Sequence, residues 1–169
     1  LTGQAGTSNY SLLARTDITQ AGINIDALNW AKLPGESGQA SGILTFKDGK
    51  LLGIEAIEVT AGSLLGKGRV TFQPDGQLSL GYFENVTLPG NELKTVLVEK
   101  TGKTAMKLTA EGSLFNLVPL RRNEGASKGL ALDFDITAAR IVVGPRISLT
   151  GNLKGSTQVN GDGQATLLF

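Results

Sequence analysis

The stretch IEVTAGSLLGKGRVTFQPDGQLSLGYF, Ile57 to Phe83, decides how this chain is read. It spells strand, glycine-rich turn, strand, Asp-Gly turn, strand. Val70 and Phe72 alternate with Arg69, Thr71 and Gln73; beyond Pro74-Asp75-Gly76, Leu78, Leu80 and Tyr82 alternate with Gln77, Ser79 and Gly81. Period-two alternation on both sides of a short turn containing Asp-Gly predicts an antiparallel hairpin. An apolar row opposite a polar row predicts a sheet with one greasy face and one wet face.

The same pattern extends in both directions. Upstream, residues 9–18 place Tyr10, Leu12, Ala14, Thr16 and Ile18 on one side of a first strand, and residues 22–30 read as a strand then a turn, or as one loose helical turn. A strand over 41–46 closes on Lys47-Asp48-Gly49-Lys50 and resumes over 51–59. Downstream, 93–99 and 103–110 pair across Lys100-Thr101-Gly102, a connection short enough for a hairpin. Residues 130–136 carry the cleanest alternation, with Leu130, Leu132, Phe134 and Ile136 opposite Asp133 and Asp135. Segments 140–143, 147–153 and 164–169 complete about ten short strands, an all-β reading. One stretch breaks the pattern: Leu114, Phe115, Leu117, Val118 and Leu120 predict a short helical plug near 113–122, limited by Pro119. Residues 147–169 weakly echo 57–83, which suggests repeat units over 41–122 and 130–169.

Composition narrows the function. A chain of 169 residues suffices for one domain. With 16 basic and 15 acidic side chains, the net charge of +1 leaves no footprint for nucleic acid and no polybasic block for anionic lipid. Cysteine and histidine are both absent, which removes thiolate nucleophiles, disulfides and Cys/His metal sites. The chain opens on Leu1 and reads as a piece of a longer protein, with any anchor outside it.

Candidate chemistries fail one by one. Gly62-Ser63-Leu64-Leu65-Gly66-Lys67-Gly68 lacks the spacing and the Ser or Thr of a phosphate loop, and reads as a hairpin turn. Asp133 and Asp135 lie on the outward row of an apolar strand, which makes them a solvated face. Glu55 and Glu58, three apart in an extended segment, are expected to face opposite ways. Serine has no histidine to activate it. Arg121 and Arg122 either meet a lipid headgroup or form the solvated end of the plug. No catalytic residue, metal or cofactor is expected.

A surface remains. Val70, Phe72, Leu78, Leu80 and Tyr82 form one apolar row, continued by Val96 and Val98, by Met106 and Leu108, and by Leu132 and Phe134. These side chains line either the interior of a closed sandwich or a groove open to lipid, and alternation by itself favours the closed core.

A resemblance shifts that balance. The segment Ile25-Asp26-Ala27-Leu28-Asn29-Trp30-Ala31-Lys32-Leu33-Pro34-Gly35-Glu36, the glycine turn Glu58 to Gly68, the run Ala110 to Leu120, and Asp133-Phe134-Asp135-Ile136 followed by Arg140 to Gly144 together resemble the AsmA-like superfamily of large bacterial envelope proteins. The aspartate often seen before that family's short helix is replaced here by Ser113 or Asn116. The resemblance implies an elongated, twisted antiparallel sheet curled into a groove or open barrel, apolar inside and polar outside. It implies a periplasmic location in a protein anchored to the inner membrane, and a part in phospholipid transport between inner and outer membranes. An apolar trough shields acyl chains at about 0.8 kcal/mol per buried CH₂ and needs no catalytic group. The expectation is therefore a single β-groove segment over 1–169 that binds or conducts phospholipid or another acyl-chain lipid and adjoins further repeats of its own chain. The alternative is a structural or adhesive solenoid or sandwich module with a sealed core and no ligand. A cation or carbohydrate site on the polar face is a third reading.

Overall fold

The computed structural model describes residues 8–25, 30–103, 105–118, 131–159 and 165–168. Every element whose bounds fall within them is a strand, and Val118 alone has helical backbone. In chain order these are β1 (Asn9–Asp17), β2 (Ile23–Ile25), β3 (Trp30–Lys32), β4 (Gly38–Lys47), β5 (Lys50–Ala61) and β6 (Leu64–Phe72). There follow β7 (Leu78–Leu88), β8 (Asn91–Lys100), β9 (Ala105–Asn116), β10 (Ala131–Gly144), β11 (Ile147–Val159) and β12 (Ala165–Leu168).

Ten strands form one sheet in the order β1-β4-β5-β6-β7-β8-β9-β10-β11-β12, and β2 with β3 makes a separate hairpin. The two terminal strands of that order, β1 and β12, do not pair with each other, so the sheet is not closed into a barrel. Turn chemistry sets most of the connections. Asp48 (φ 51°) and Gly49 (φ 77°) both occupy the left-handed region, as a two-residue hairpin turn with the right twist demands. Gln73 and Gln77 close the β6–β7 hairpin, Gln73 N donating to Gln77 O at 2.8 Å.

Two expectations need correction. The sheet is mixed: β9 and β10 run parallel, Ala105 beside Ala131 through Asn116 beside Val142. Parallel neighbours require a long return connection in place of a tight turn, and alternation carries no record of strand direction. Of the expected plug, residues 113–116 are strand, with Phe115 opposite Ile141 and Leu114 opposite Glu92. Ladders on both sides satisfy this backbone, so a helix has nothing to offer it. Residues 119–122 lie outside the described residues.

The strands bend along a shared crease. Register breaks fall between Ser41 and Ile43 in β4, Ile54 and Ile57 in β5, Leu65 and Lys67 in β6, Leu93 and Thr95 in β8, and Ala138 and Ile141 in β10. Two of the bulged residues, Ala56 (φ 49°) and Asn85 (φ 52°), are non-glycine residues held in the left-handed region. A bulge bends its strand and shifts the alternation by one. Because neighbouring strands bulge at the same level, the sheet folds across its width and apolar residues return to the same side below the crease. In β10, Phe134, Ile136 and Ala138 above the break are followed by Ile141 and Val143 below it, and all are buried. The core is this one face, in two linked clusters: one from β8 to β11, the other joining Trp30, Ala61 and Leu88, with Val86 packed against both.

Candidate functional site

Directly paired residues of a β-ladder point to the same side, so register assigns faces. Val70 sits between Ile54 and Gly81, and Val98 between Gly81 and Leu108. Leu108 lies beside Phe134, Met106 beside Leu132, and Val96 between Phe83 and Ala110. Tyr10, Leu12 and Ala14 oppose Phe46, Leu44 and Gly42 at the β1 margin, where the Tyr10 and Phe46 rings stack at 4.9 Å. Leu153 opposite Ile136 carries the row into β11. One apolar face therefore crosses the sheet from β1 to β11.

Of the expected lining residues, Val70, Phe72, Val96, Val98, Met106, Leu108, Leu132 and Phe134 share this face. Leu78 joins them opposite Phe72, across a register break at Ser79. Leu80 and Tyr82 do not. Leu80 pairs with Thr71 and Glu99, and Tyr82 with Arg69 and Leu97, which puts both on the polar face. The physical reason is that break: the row that continues Leu78 inward runs through Gly81 and Phe83. Sequence alternation could not see this, because the glycine at 81 reads as a polar-row residue. The Phe83 ring needs that glycine, and Gly68, where a Cβ would lie 2.6 Å from Phe83 Cδ1. Arg121 and Arg122 lie outside the described residues.

Burial along this face is graded. At the end formed by the β5–β6 and β7–β8 turns, Ala61, Leu88, Leu117 and Ile141 are buried. Trp30 stands over that end, 5% exposed, its Nε1 donating to Ser63 Oγ at 3.0 Å. Lys32, 1% exposed, fastens the β2–β3 hairpin. Its Nζ donates to the carbonyls of Thr19 and Ala21 at 3.0 Å and of Leu33 at 3.2 Å. Reading the sequence did not single out this lysine, since nothing in Trp-Ala-Lys distinguishes a buried cation from a surface one. Toward the opposite end, Phe46, Phe72, Val98, Met106, Leu108 and Leu132 are only half-buried. The two margins are more open still: Leu12 is 55% exposed and Ile147 60%.

The last residue of the β8 row at that open end is Lys100, beside Met106 and two positions beyond Val98. Its Nζ donates to Gln73 Oε1 at 3.3 Å and, more closely, to Gln77 Oε1.

The other face is polar, and several of its charges are partnered. Lys67 Nζ lies 2.7 Å from Glu58 Oε1, which lowers the glutamate pKa and raises that of the lysine. Asn152 donates to Asp135 Oδ1 and Lys154 lies 2.9 Å from its other oxygen, so Asp135 titrates below its usual range. Tyr82 donates to Glu84 at 2.8 Å, which raises the phenol pKa, and Arg69 lies 5.3 Å over the Tyr82 ring. Glu55 and Glu58 both emerge on this face, opposite Ile43 and Ser41, because the Ala56 bulge between them absorbs one residue. That corrects the expectation that they oppose each other. A shallow depression of about 500 Å³ runs between Arg15, Asp17, Gln39, Ser41, Glu58 and Thr60. Among the described residues no group of three or more acidic side chains is placed to hold a metal ion.

The two segments that echo each other in sequence are built differently: 57–68 turns at Gly62-Ser63 between β5 and β6, whereas β11 runs unbroken from Ile147 to Val159. No family model matches the chain, and no curated protein or solved structure matches it either.

Proposed function

We propose that this chain is a lipid-binding or lipid-conducting groove segment of a periplasmic, AsmA-like envelope protein that moves phospholipid between inner and outer membranes. One observation carries the reading: an apolar face continues across an unclosed sheet and is half-wet at one end. A protein that needed this face only as a core would cover it throughout, since apolar area left in water forgoes roughly 25 cal/mol per Å². Acyl chains supply the missing cover without asking for charge, histidine or a cofactor. The chemistry fits passive sliding over a smooth apolar floor, so no side chain is assigned a catalytic role. The envelope location and the transport role rest on the sequence resemblance; the groove rests on the geometry.

The test is native mass spectrometry of protein purified without detergent, alongside titration of a hydrophobic dye. Co-purifying phospholipid, and dye binding that phospholipid displaces, support the reading. A clean apo mass with no dye binding refutes it in favour of a sealed structural module.

A further inference from the structure

Accepting that reading, we infer that the open end of the trough is a headgroup site, with Lys100 selecting anionic phospholipid over zwitterionic lipid of the same chain length. The placement of Lys100 is the argument. It ends an apolar row, sharing a face with Val98 and Met106, so its stem lies on apolar surface and its ammonium stands at the rim. Its ammonium is steered by two neutral acceptors, Gln73 and Gln77, on the neighbouring turn. Among the described residues no carboxylate pairs with it, and one of its three protons is left for a further acceptor.

The turns at this end add to the field. Lys47 and Lys50 flank the β4–β5 turn and Lys103 lies in the β8–β9 turn, against Asp48 and Asp75 as the acids of these turns. The result is a net positive rim above half-buried apolar side chains. The opposite end carries Asp17 and Glu36 against Lys32 and Arg146, so it has no comparable excess of positive charge, and it is capped by Trp30. An amphiphile satisfies both halves of this arrangement at once: its chain lies along Val98, Met106, Leu108 and Leu132, and its phosphate meets Lys100. A phosphate without a chain meets only a solvated lysine, whose attraction is weak in water.

The experiment is isothermal titration of the full chain with two short-chain probes used as monomers, dihexanoylphosphatidylglycerol and dihexanoylphosphatidylcholine. Inorganic phosphate serves as the chain-free control. The wild type should prefer the anionic lipid by about tenfold, a preference that shrinks as salt screens the rim. Lys100→Gln should weaken the anionic lipid by about tenfold and the zwitterionic lipid by less, because both lose a charge-assisted hydrogen bond to phosphate but the choline cation already offsets its own phosphate and is repelled by the rim. Lys100→Arg should keep the preference. Equal binding of both lipids by the wild type, or an unchanged preference in Lys100→Gln, overturns the inference while the groove stands. Binding of inorganic phosphate as tight as that of the anionic lipid also overturns it, since a free-anion site then suffices. Binding of neither lipid overturns the inference together with the groove.

Discussion

A single charged side chain, moved between the two faces of the sheet, separates the roles assigned to them. Phe134 is 4% exposed, on the apolar face of β10. Phe134→Asp removes a buried ring, at about 3–5 kcal/mol, and leaves an unpaired carboxylate that adds several more. A domain of this size has a total stability of about 5–15 kcal/mol, so this variant should be largely unfolded. Val98→Asp lies on the same face where cover is partial. Water reaches the new carboxylate there, so about 1–3 kcal/mol is lost, the fold survives and lipid binding fails. Leu80→Asp lies on the polar face, opposite Thr71 and Glu99. The like charge across the ladder costs about 0.5–1 kcal/mol, and lipid binding should match the wild type. Urea unfolding followed by circular dichroism gives the first quantity, and titration with phospholipid gives the second. The face assignment fails if Leu80→Asp unfolds the protein as fully as Phe134→Asp. The open-groove reading fails if Val98→Asp binds lipid as the wild type does.

Lys32→Met keeps the aliphatic stem but leaves the carbonyls of Thr19, Ala21 and Leu33 without their donor, and should lower urea stability by about 2–4 kcal/mol; a loss under about 0.5 kcal/mol contradicts the assigned clasp. Gly68→Ala drives a methyl into the Tyr82 carbonyl and the Phe83 ring and should destabilise by about 1–3 kcal/mol, whereas a neutral result would mean the two strands are not so closely set. Asp135 is held below its ordinary pKa chiefly by Asn152 and then by Lys154. A depressed folded-state pKa contributes stability that is present above the unfolded pKa near ~3.9 and is lost as pH falls through the folded value. The stability difference between wild type and Asn152→Ala should thus be largest near neutral pH and shrink in acid to what the contacts of Asn152 with Ile136 O and Thr137 Oγ1 contribute. The carboxyl resonance of Asp135 should titrate higher in the variant, and an unmoved titration curve rules out the assigned hydrogen bond.

How far the sequence carried the fold depended on the bulges. Alternation located most of the strands, because each half-strand keeps period two: Tyr10 to Thr16 and Leu132 to Ile136 are legible by eye. It gave the right side for nine of the lining residues because all nine lie on the same side of the crease as the hairpin first read. It failed at Leu80 and Tyr82, where one bulged residue at Ser79 reverses the face, and at Glu55 and Glu58, where Ala56 does the same. A bulge carries no fixed residue signature, and Ala56 in the left-handed region has none at all. The parallel pairing of β9 and β10 was hidden for a different reason: strand direction depends on where a connection leads, and residues 113–118 are equally apolar whether they end a strand or begin a helix. Lys32 was invisible because its partners are backbone carbonyls, which every sequence has.

The crease also bears on what the sheet can do. Without it, a ten-stranded sheet with one apolar face must find a second layer to cover that face, and the β2–β3 hairpin is too small to be one. Coordinated bulges solve half of the problem. Below the crease the face folds onto itself and onto Trp30, and side chains on either side of it, Ile136 above and Ile141 below, lose nearly all contact with water. Toward the β4–β5, β6–β7 and β8–β9 turns the strands continue without a lid among the described residues, and the same row of residue types stays half-wet. Sequence alone does not impose this difference, since Val98 is as apolar as Val143. It follows from geometry, and it leaves apolar area that something other than these strands must cover. Any occupant that removes water from Val98, Met106 and Leu108 lowers the free energy of the protein–ligand pair by the same mechanism that stabilises the sealed end. That is why occupancy should raise the unfolding midpoint as well as register as binding, and why a sealed module would give neither signal.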